Sequence, residues 1–473
     1  MLRNGELPNF KKYLADRGIL VENAITVFPS TTGPAHAPFI NGCFPGRMNV
    51  TGIRWFDRHT FTFRNYCGPQ FPLVNKDISN NIPSIYKDLK NYRTVSVFEF
   101  VRPGSLLNQN IPPLLNVYGK LLDRWKDVDI LAFEQARLFY KGADIFNFKN
   151  RLMELPRFLA IWCPGEDETE HAHGPLSRRA REVLKVDDKY FGRLIETLKD
   201  TGIYDSTVIV VSADHGQRPT HSHFKTTEFL KSLGFDVKDK PFERNCDVVF
   251  ALSGNGFAML YFKSPSGSFK TRPTYDELRA YPVKGRKVDI IEEFRKRKEV
   301  KFTIVREGLN LIHVFTSTGE GLIRFKHKKG KRYIGYKVIE GEDPFEYSKF
   351  IPEMVNYKYY NSEKWLEATC TLNYPDAPVQ IVQLFESPRV GDIVLSSTIG
   401  WDLAFERPEH HGTHGGLERA EMVVPLLIAG PGIPHKTIKC ARTVDVYPTF
   451  LDCFGIKIPK NIDGISIFKR LKN

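Results

Sequence analysis

The chain has 473 residues, 41% of them hydrophobic, 26% charged and 12% aromatic. This leaves room for about three domains at roughly 150 residues each, or for one elaborated α/β unit with an insertion, and it excludes disordered, collagen-like and coiled-coil classes. The net charge of +13 is unevenly spread: residues 264–350 carry 20 Lys and Arg against 12 Asp and Glu, which reads either as a solvated lysine-rich surface or as a basic rim that draws in an anionic substrate.

In chain order, the start MLRNGELPNFKKYL is too polar for a signal peptide, and no later apolar run reaches the roughly 18 residues of a spanning helix. A strand ends at Pro29, and the hydroxyls of Ser30, Thr31 and Thr32 follow. Ala35 to Ile40 begins a helix whose N-terminal amides favour an anion. On its own this segment also reads as helix capping by Ser30 or Thr31, with His36 as a packing residue. Phe158 to Trp162 is a strand that runs into Cys163-Pro164-Gly165-Glu166-Asp167. Asp167 and His171, four apart, share a helical face, and a hard oxygen with an imidazole nitrogen suits zinc or manganese, although such a pair is common on solvated helices.

Arg181 to Lys199 places Val183, Leu184, Val186, Phe191, Leu194, Ile195 and Leu198 at helical spacing. Asp200-Thr201-Gly202 then turns the chain into a buried strand, Thr207 to Ser212, with Asp214 and His215 at its C-terminal end, where open α/β sheets bind ligands. From about residue 264 the texture changes to a charged helix over Val288 to Glu299 and short strands at Leu311 to Thr316 and Tyr333 to Ile339. The α/β pattern resumes with Arg389 to Leu395 and Val423 to Ala429, and the alternation predicts a mostly parallel sheet covered on both faces. Between those runs lies Glu409-His410-His411-Gly412-Thr413-His414-Gly415-Gly416, whose glycines let backbone approach a ligand closely. The seven cysteines lack CxxC spacing, which argues against a disulfide framework and a cysteine zinc site.

The order of these segments resembles the alkaline phosphatase superfamily, specifically its type I phosphodiesterase and nucleotide pyrophosphatase branch. The likeness rests on Pro-x-x-Thr-x-Pro-x-His at Pro29 to His36, Asp-x3-His-x2-Gly-Pro at Asp167 to Pro175, Asp-His-Gly at Asp214 to Gly216, and His414-Gly415. It implies a three-layer α/β/α core with a mostly parallel sheet; the change of texture then divides that core into residues 1–263 and 351–473, around an inserted basic α+β subdomain or cap at 264–350. The resemblance also implies two divalent metal ions, Zn2+ with Mn2+ as the alternative: Asp167, His171 and His414 hold one, and Asp214, His215 and the Thr32 oxygen hold the other. Thr32 would be the nucleophile, hydrolysing a phosphodiester or nucleotide pyrophosphate through a phosphothreonine. The absence of a Cys-x-Pro-x-Arg motif argues against a sulfatase.

Two departures shape the remaining expectations. Met1 to Phe10 is similar to the stretch that normally follows a further metal-binding Asp, so the chain reads as starting just after that residue; a cytoplasmic location follows only if the start is the true one. Ile53 stands where family diesterases place a phosphate-binding Asn, which leaves Arg54 or Asn49 as substrate-binding candidates. Arg54 matches phosphate geometry and would favour a doubly charged monoester, but it also reads as a surface or ion-paired residue. A phosphomonoesterase, a phosphomutase-like relative and a non-catalytic phosphate-ligand-binding member are therefore alternatives. The expected partner is a small phosphate ester. No specific nucleic-acid partner is expected, because the basic segment has no recognisable motif and its helix mixes both signs.

Overall fold

In the computed structural model the described residues are 1–141, 155–239, 246–406 and 409–471. From the N-terminus, β1 (Ile19–Ile25) leads into α1 (Thr32–Asn41). Then come β2 (Thr94–Val97), β3 (Leu107–Gln109), α2 (Trp125–Tyr140), β4 (Phe158–Ile161), α3 (Gly165–His173), α4 (Arg178–Asp200) and β5 (Ile209–Ser212). A run of strands follows: β6 (Val237–Lys238), β7 (Val248–Ser253), β8 (Phe257–Phe262), β9 (Val300–Glu307), β10 (Leu311–Phe315), β11 (Gly319–Lys328), β12 (Lys331–Gly341) and β13 (Tyr360–Asn361). The chain closes with α5 (Ala377–Phe385), β14 (Ile393–Ser397), β15 (Val423–Ala429), β16 (Lys436–Arg442) and α6 (Val446–Cys453).

These strands form a mixed α/β architecture. One sheet has the order β16-β1-β15-β5, in which β1 runs parallel to β16 and antiparallel to β15. A second, β3-β2-β4, is parallel throughout. Among the described residues β4 pairs only with β2 and β5 only with β15, so each keeps a free edge. The third sheet has nine strands, β13-β12-β11-β10-β9-β14-β8-β7-β6, antiparallel except between β6 and β7. Its strands come from 237–262, 300–361 and 393–397, so the boundaries expected at 263/264 and 350/351 both fall inside one sheet. Charge density follows exposure, whereas sheet membership follows pairing, and the sequence texture reported only the first.

The helix expected over 181–199 extends to Arg178–Asp200 because Ser177 caps it, its side chain accepting from the Ala180 N–H. It stops where Gly202 takes φ 72, a left-handed conformation that glycine adopts without strain. Its buried stripe of Phe191, Leu194, Ile195 and Leu198 meets Phe133 and Ala136 of α2 and Leu427 and Ala429 of β15. Each such apolar side chain contributes about 1.5–3 kcal/mol when fully buried. This layer fixes β5, and with it the loop carrying Asp214 and His215. The charged helix expected over 288–299 is shorter, Ile290–Arg295, capped by Asp289. No helix among the described residues is long and apolar enough to cross a membrane.

Candidate metal centre and nucleophile

Four loops at strand or helix ends converge on one site. Thr32 is the first residue of α1, directly after the extended N-cap Thr31 (φ −133, ψ 148). Asp167 and His171 lie on successive turns of α3, where Gly165 N donates to Asp129 Oδ1 at 3.0 Å. Asp214 and His215 follow β5. His414 stands in the loop before β15, and Asn255, in the β7–β8 turn, bridges to it.

Asp167, His171 and His414 each offer one ligand atom within 4.8 Å of the others. His171 Nε2 is 3.6 Å and His414 Nε2 3.9 Å from Asp167 Oδ1. In both rings the other nitrogen is spoken for: His171 Nδ1–H donates to Gly412 O at 2.9 Å and His414 Nδ1–H to Ser30 O at 2.8 Å. These carbonyls fix the tautomer that leaves Nε2 lone pairs facing the carboxylate, the arrangement by which metal-binding histidines are oriented. Burial, reinforced by His215, pushes His414 well below the ordinary imidazole range, so it is a neutral donor. Burial alone would raise Asp167, but His171 leads the opposing influences and the carboxyl is held below its usual value. Lone pairs aimed at one anionic oxygen fit a cation, and the donor set suits a borderline divalent ion.

A second group adjoins the first. The His215 and His414 rings stack at 3.7 Å with an 11° interplanar angle. His215 Nε2 lies 3.3 Å from both Thr32 Oγ1 and Asp214 Oδ2. Asp214 Oδ2 is also 3.2 Å from His36 Nε2, and His36 Nδ1 is 2.7 Å from Glu99 Oε1. Burial would lower His36, but Glu99 and Asp214 push it up to about 10, so it is an imidazolium clamped between two carboxylates. Burial would likewise raise Asp214, yet His215 and His36 outweigh it and keep the group ionised far below the usual carboxylate range.

All six residues expected at the metal and nucleophile positions therefore meet in one place. Three contributors were not anticipated. Gln217 Nε2 donates to Asp167 Oδ1 at 2.6 Å and to Asp167 O at 2.9 Å. Ser30 supplies the carbonyl that orients His414, and Glu99 anchors His36. Glu99 had a faint signal, a lone acid just past the buried strand β2.

The two substrate-binding candidates sit differently. Arg54 Nη1 donates to Glu406 Oε1 at 3.1 Å, so its charge is paired. Asn49 takes φ 63 at the end of the short helix Pro45–Met48, and its amide is used internally: Nδ2 donates to Ser79 Oγ at 2.7 Å, and Oδ1 accepts from Ser387 Oγ at 3.0 Å. His173 pairs with Asp123 at 2.7 Å, and His223 with Asp402 at 2.8 Å. His410 Nδ1 lies 2.6 Å from Asn255 Nδ2, its ring 4.8 Å from that of His171.

At the strand and helix ends of this mixed α/β fold, Asp167, His171 and His414 form a group that could hold a metal ion. Residues 1–417 match the family model described as type I phosphodiesterase / nucleotide pyrophosphatase, and the chain belongs to that family. Ectonucleotide pyrophosphatase/phosphodiesterase family member 3 of Bos taurus is 23% identical over 247 residues, covering 50% of this chain and 26% of the relative. An uncharacterized pyrophosphatase/phosphodiesterase of Schizosaccharomyces pombe is 24% identical over 238 residues, covering 46% of this chain and 42% of the relative. The chain thus spans less than half the length of these relatives. Among solved structures, murine ectonucleotide pyrophosphatase/phosphodiesterase 5 aligns with a TM-score of 0.54 at 16% identity, covering 97% of this chain and 92% of its own. The human counterpart aligns with a TM-score of 0.55 at 15% identity, covering 98% and 93%.

Proposed function

We propose that this chain hydrolyses phosphodiester or nucleotide pyrophosphate bonds, with Thr32 as nucleophile. Two divalent ions, Zn2+ on this donor chemistry, would be held by Asp167, His171 and His414 and by Asp214, His215 and Thr32. The observation that carries the reading is the Thr32 hydroxyl, 3.3 Å from His215 Nε2 and at the start of α1, beside two ligand groups that share a stacked His215–His414 pair. When bound, such ions neutralise the phosphoryl oxygens and lower the pKa of a coordinated hydroxyl.

The chain's own residues prepare that chemistry. The first amides of α1 face the phosphate that Thr32 attacks, adding donors without reorganisation. Thr32 Oγ1 bonds to phosphorus as the bond to the leaving oxygen breaks, and water later displaces the threonine. His215 and His36 keep Asp214 ionised, and Gln217 holds the Asp167 carboxylate in place. The Arg54–Glu406 pair offers substrate no net positive charge, which supports a singly charged diester over a doubly charged monoester. Turnover of bis(p-nitrophenyl) phosphate against p-nitrophenyl phosphate tests this: the diester should be preferred and Thr32→Ala should lose it, whereas equal use of both esters would remove the diester reading.

A further inference from the structure

The nine-stranded sheet carries a cationic stripe that the site above does not use. Between residues 322 and 337 the sequence has seven Lys and Arg and no Asp or Glu. Strand alternation sorts them by face. Ile323, Phe325, Ile334 and Tyr336 point into the core, and Arg332 on that face is neutralised by Glu386 at 2.6 Å and Asp463 at 2.7 Å. The opposite face presents Arg324, Lys326, Lys328, Lys331 and Lys337, with Lys326 across from Tyr333 and Lys328 across from Lys331. Among the described residues none of these five lies within 4 Å of a carboxylate, and Lys326, Lys328 and Lys331 are exposed.

Tyrosines, rather than acids, hold three of these cations. Segment 357–359 crosses the sheet at Gly335, where an added Cβ would come within 2.8 Å of Tyr357 O. The crossing sets Arg324 over Tyr357 and Tyr359, at 3.9 and 4.2 Å from their ring centroids, with Lys326 over Tyr359 at 4.0 Å and Lys337 over Tyr357 at 4.6 Å. Arg324 Nη2 also donates to Tyr357 O at 2.5 Å. Ring faces position a cation while leaving its N–H groups free for an anion, which a carboxylate partner would not. From Lys328 to the level of Lys337 the stripe is about 20 Å long, at 3.3 Å per residue, and one hairpin wide.

We infer that this outer face of β11 and β12 binds the phosphate backbone of a single-stranded nucleic acid. A linear polyanion fits better than a bilayer, because the same face also carries the half-exposed carboxylate of Glu307, 2.7 Å from His313, and a planar anionic surface would press on it. A cationic track of this kind follows the backbone of a single strand without reading its sequence. The inference does not depend on the reaction proposed for Thr32.

The test is fluorescence anisotropy of labelled oligothymidylate over a salt series, with the wild type and Thr32→Ala, so that hydrolysis of the probe shows separately as anisotropy falling with time. Lys326→Glu/Lys337→Glu should weaken binding at least tenfold and flatten the plot of log K against log salt by about 1.4, from roughly 0.7 per lost phosphate contact. A thermal unfolding midpoint within a few degrees of wild type shows that the variant is folded; if the midpoint falls further, Lys326→Gln/Lys337→Gln replaces it, with the same expected direction. No binding, binding insensitive to both variants, or lysine-dependent sedimentation with phosphatidylserine vesicles without oligonucleotide binding would each overturn the inference.

Discussion

Gln217 gives the sharpest check on how the metal centre is built. Its amide donates 2.6 Å to the same Asp167 oxygen that faces His171 and His414, and 2.9 Å to the Asp167 carbonyl, tying the side chain and backbone of one ligand together. The side chain is wedged in place, since a Cβ on Gly412 would come within 2.3 Å of Gln217 Oε1. Gln217→Leu keeps most of the volume and removes both hydrogen bonds. A bond to an ionised carboxylate contributes about 1.5–3 kcal/mol, and loss of such a supporting contact typically costs 10–100-fold in metal affinity, or about 1.4–2.7 kcal/mol. Competition between the protein and a chromophoric chelator for zinc would measure this. The expected result is a 10–100-fold weaker affinity with a thermal midpoint close to wild type. An affinity within twofold of wild type would refute the idea that Gln217 orients Asp167.

Other perturbations follow from the same geometry. In chelator-stripped protein, His36→Gln should lower stability by up to about 5 kcal/mol, the worth of a proton held from the usual 6.5 up to about 10. Because this pKa is raised, the contribution is complete below pH 6.5 and fades as the pH rises through about 10. Urea midpoints of the two proteins should therefore converge at alkaline pH, and a pH-independent gap would contradict the clamp. Arg442 donates to both oxygens of the fully buried Asp376 at 2.7 Å, so Arg442→Leu should cost about 3–5 kcal/mol at neutral pH and less in acid, where the stranded carboxyl is protonated. Urea unfolding at both pH values checks this. Gly165→Ala would set a Cβ 2.0 Å from Asp129 Oδ2, displacing the start of α3, and both zinc affinity and thermal midpoint should fall together.

The parts of this molecule legible in its sequence were those written locally. Val423–Ala429 is a strand with the expected bounds because its apolar run is continuous, and Asp167, His171, Asp214, His215, His414 and Thr32 could be picked out because each stands in a short motif. Contacts between distant segments were not legible. His36 read as a packing residue because Glu99 and Asp214, its partners, lie 63 and 178 positions away. Asn49 read as a ligand for substrate, yet its place is set by a positive φ, which asparagine tolerates, and by Ser79 and Ser387. The 264–350 segment read as separate because lysine density marks the exposed face of β11 and β12, while the pairing of β9 with β14 leaves no local trace.

The measurement that bears most directly on the central claim is an acid quench of enzyme turning over bis(p-nitrophenyl) phosphate, followed by mass spectrometry of the peptide carrying Thr32. The account predicts a phosphoryl adduct, still carrying one nitrophenyl ester, on Thr32 in the wild type. It also predicts neither adduct nor turnover in Thr32→Ala. Turnover that persists in Thr32→Ala, or an adduct on another residue, would contradict it.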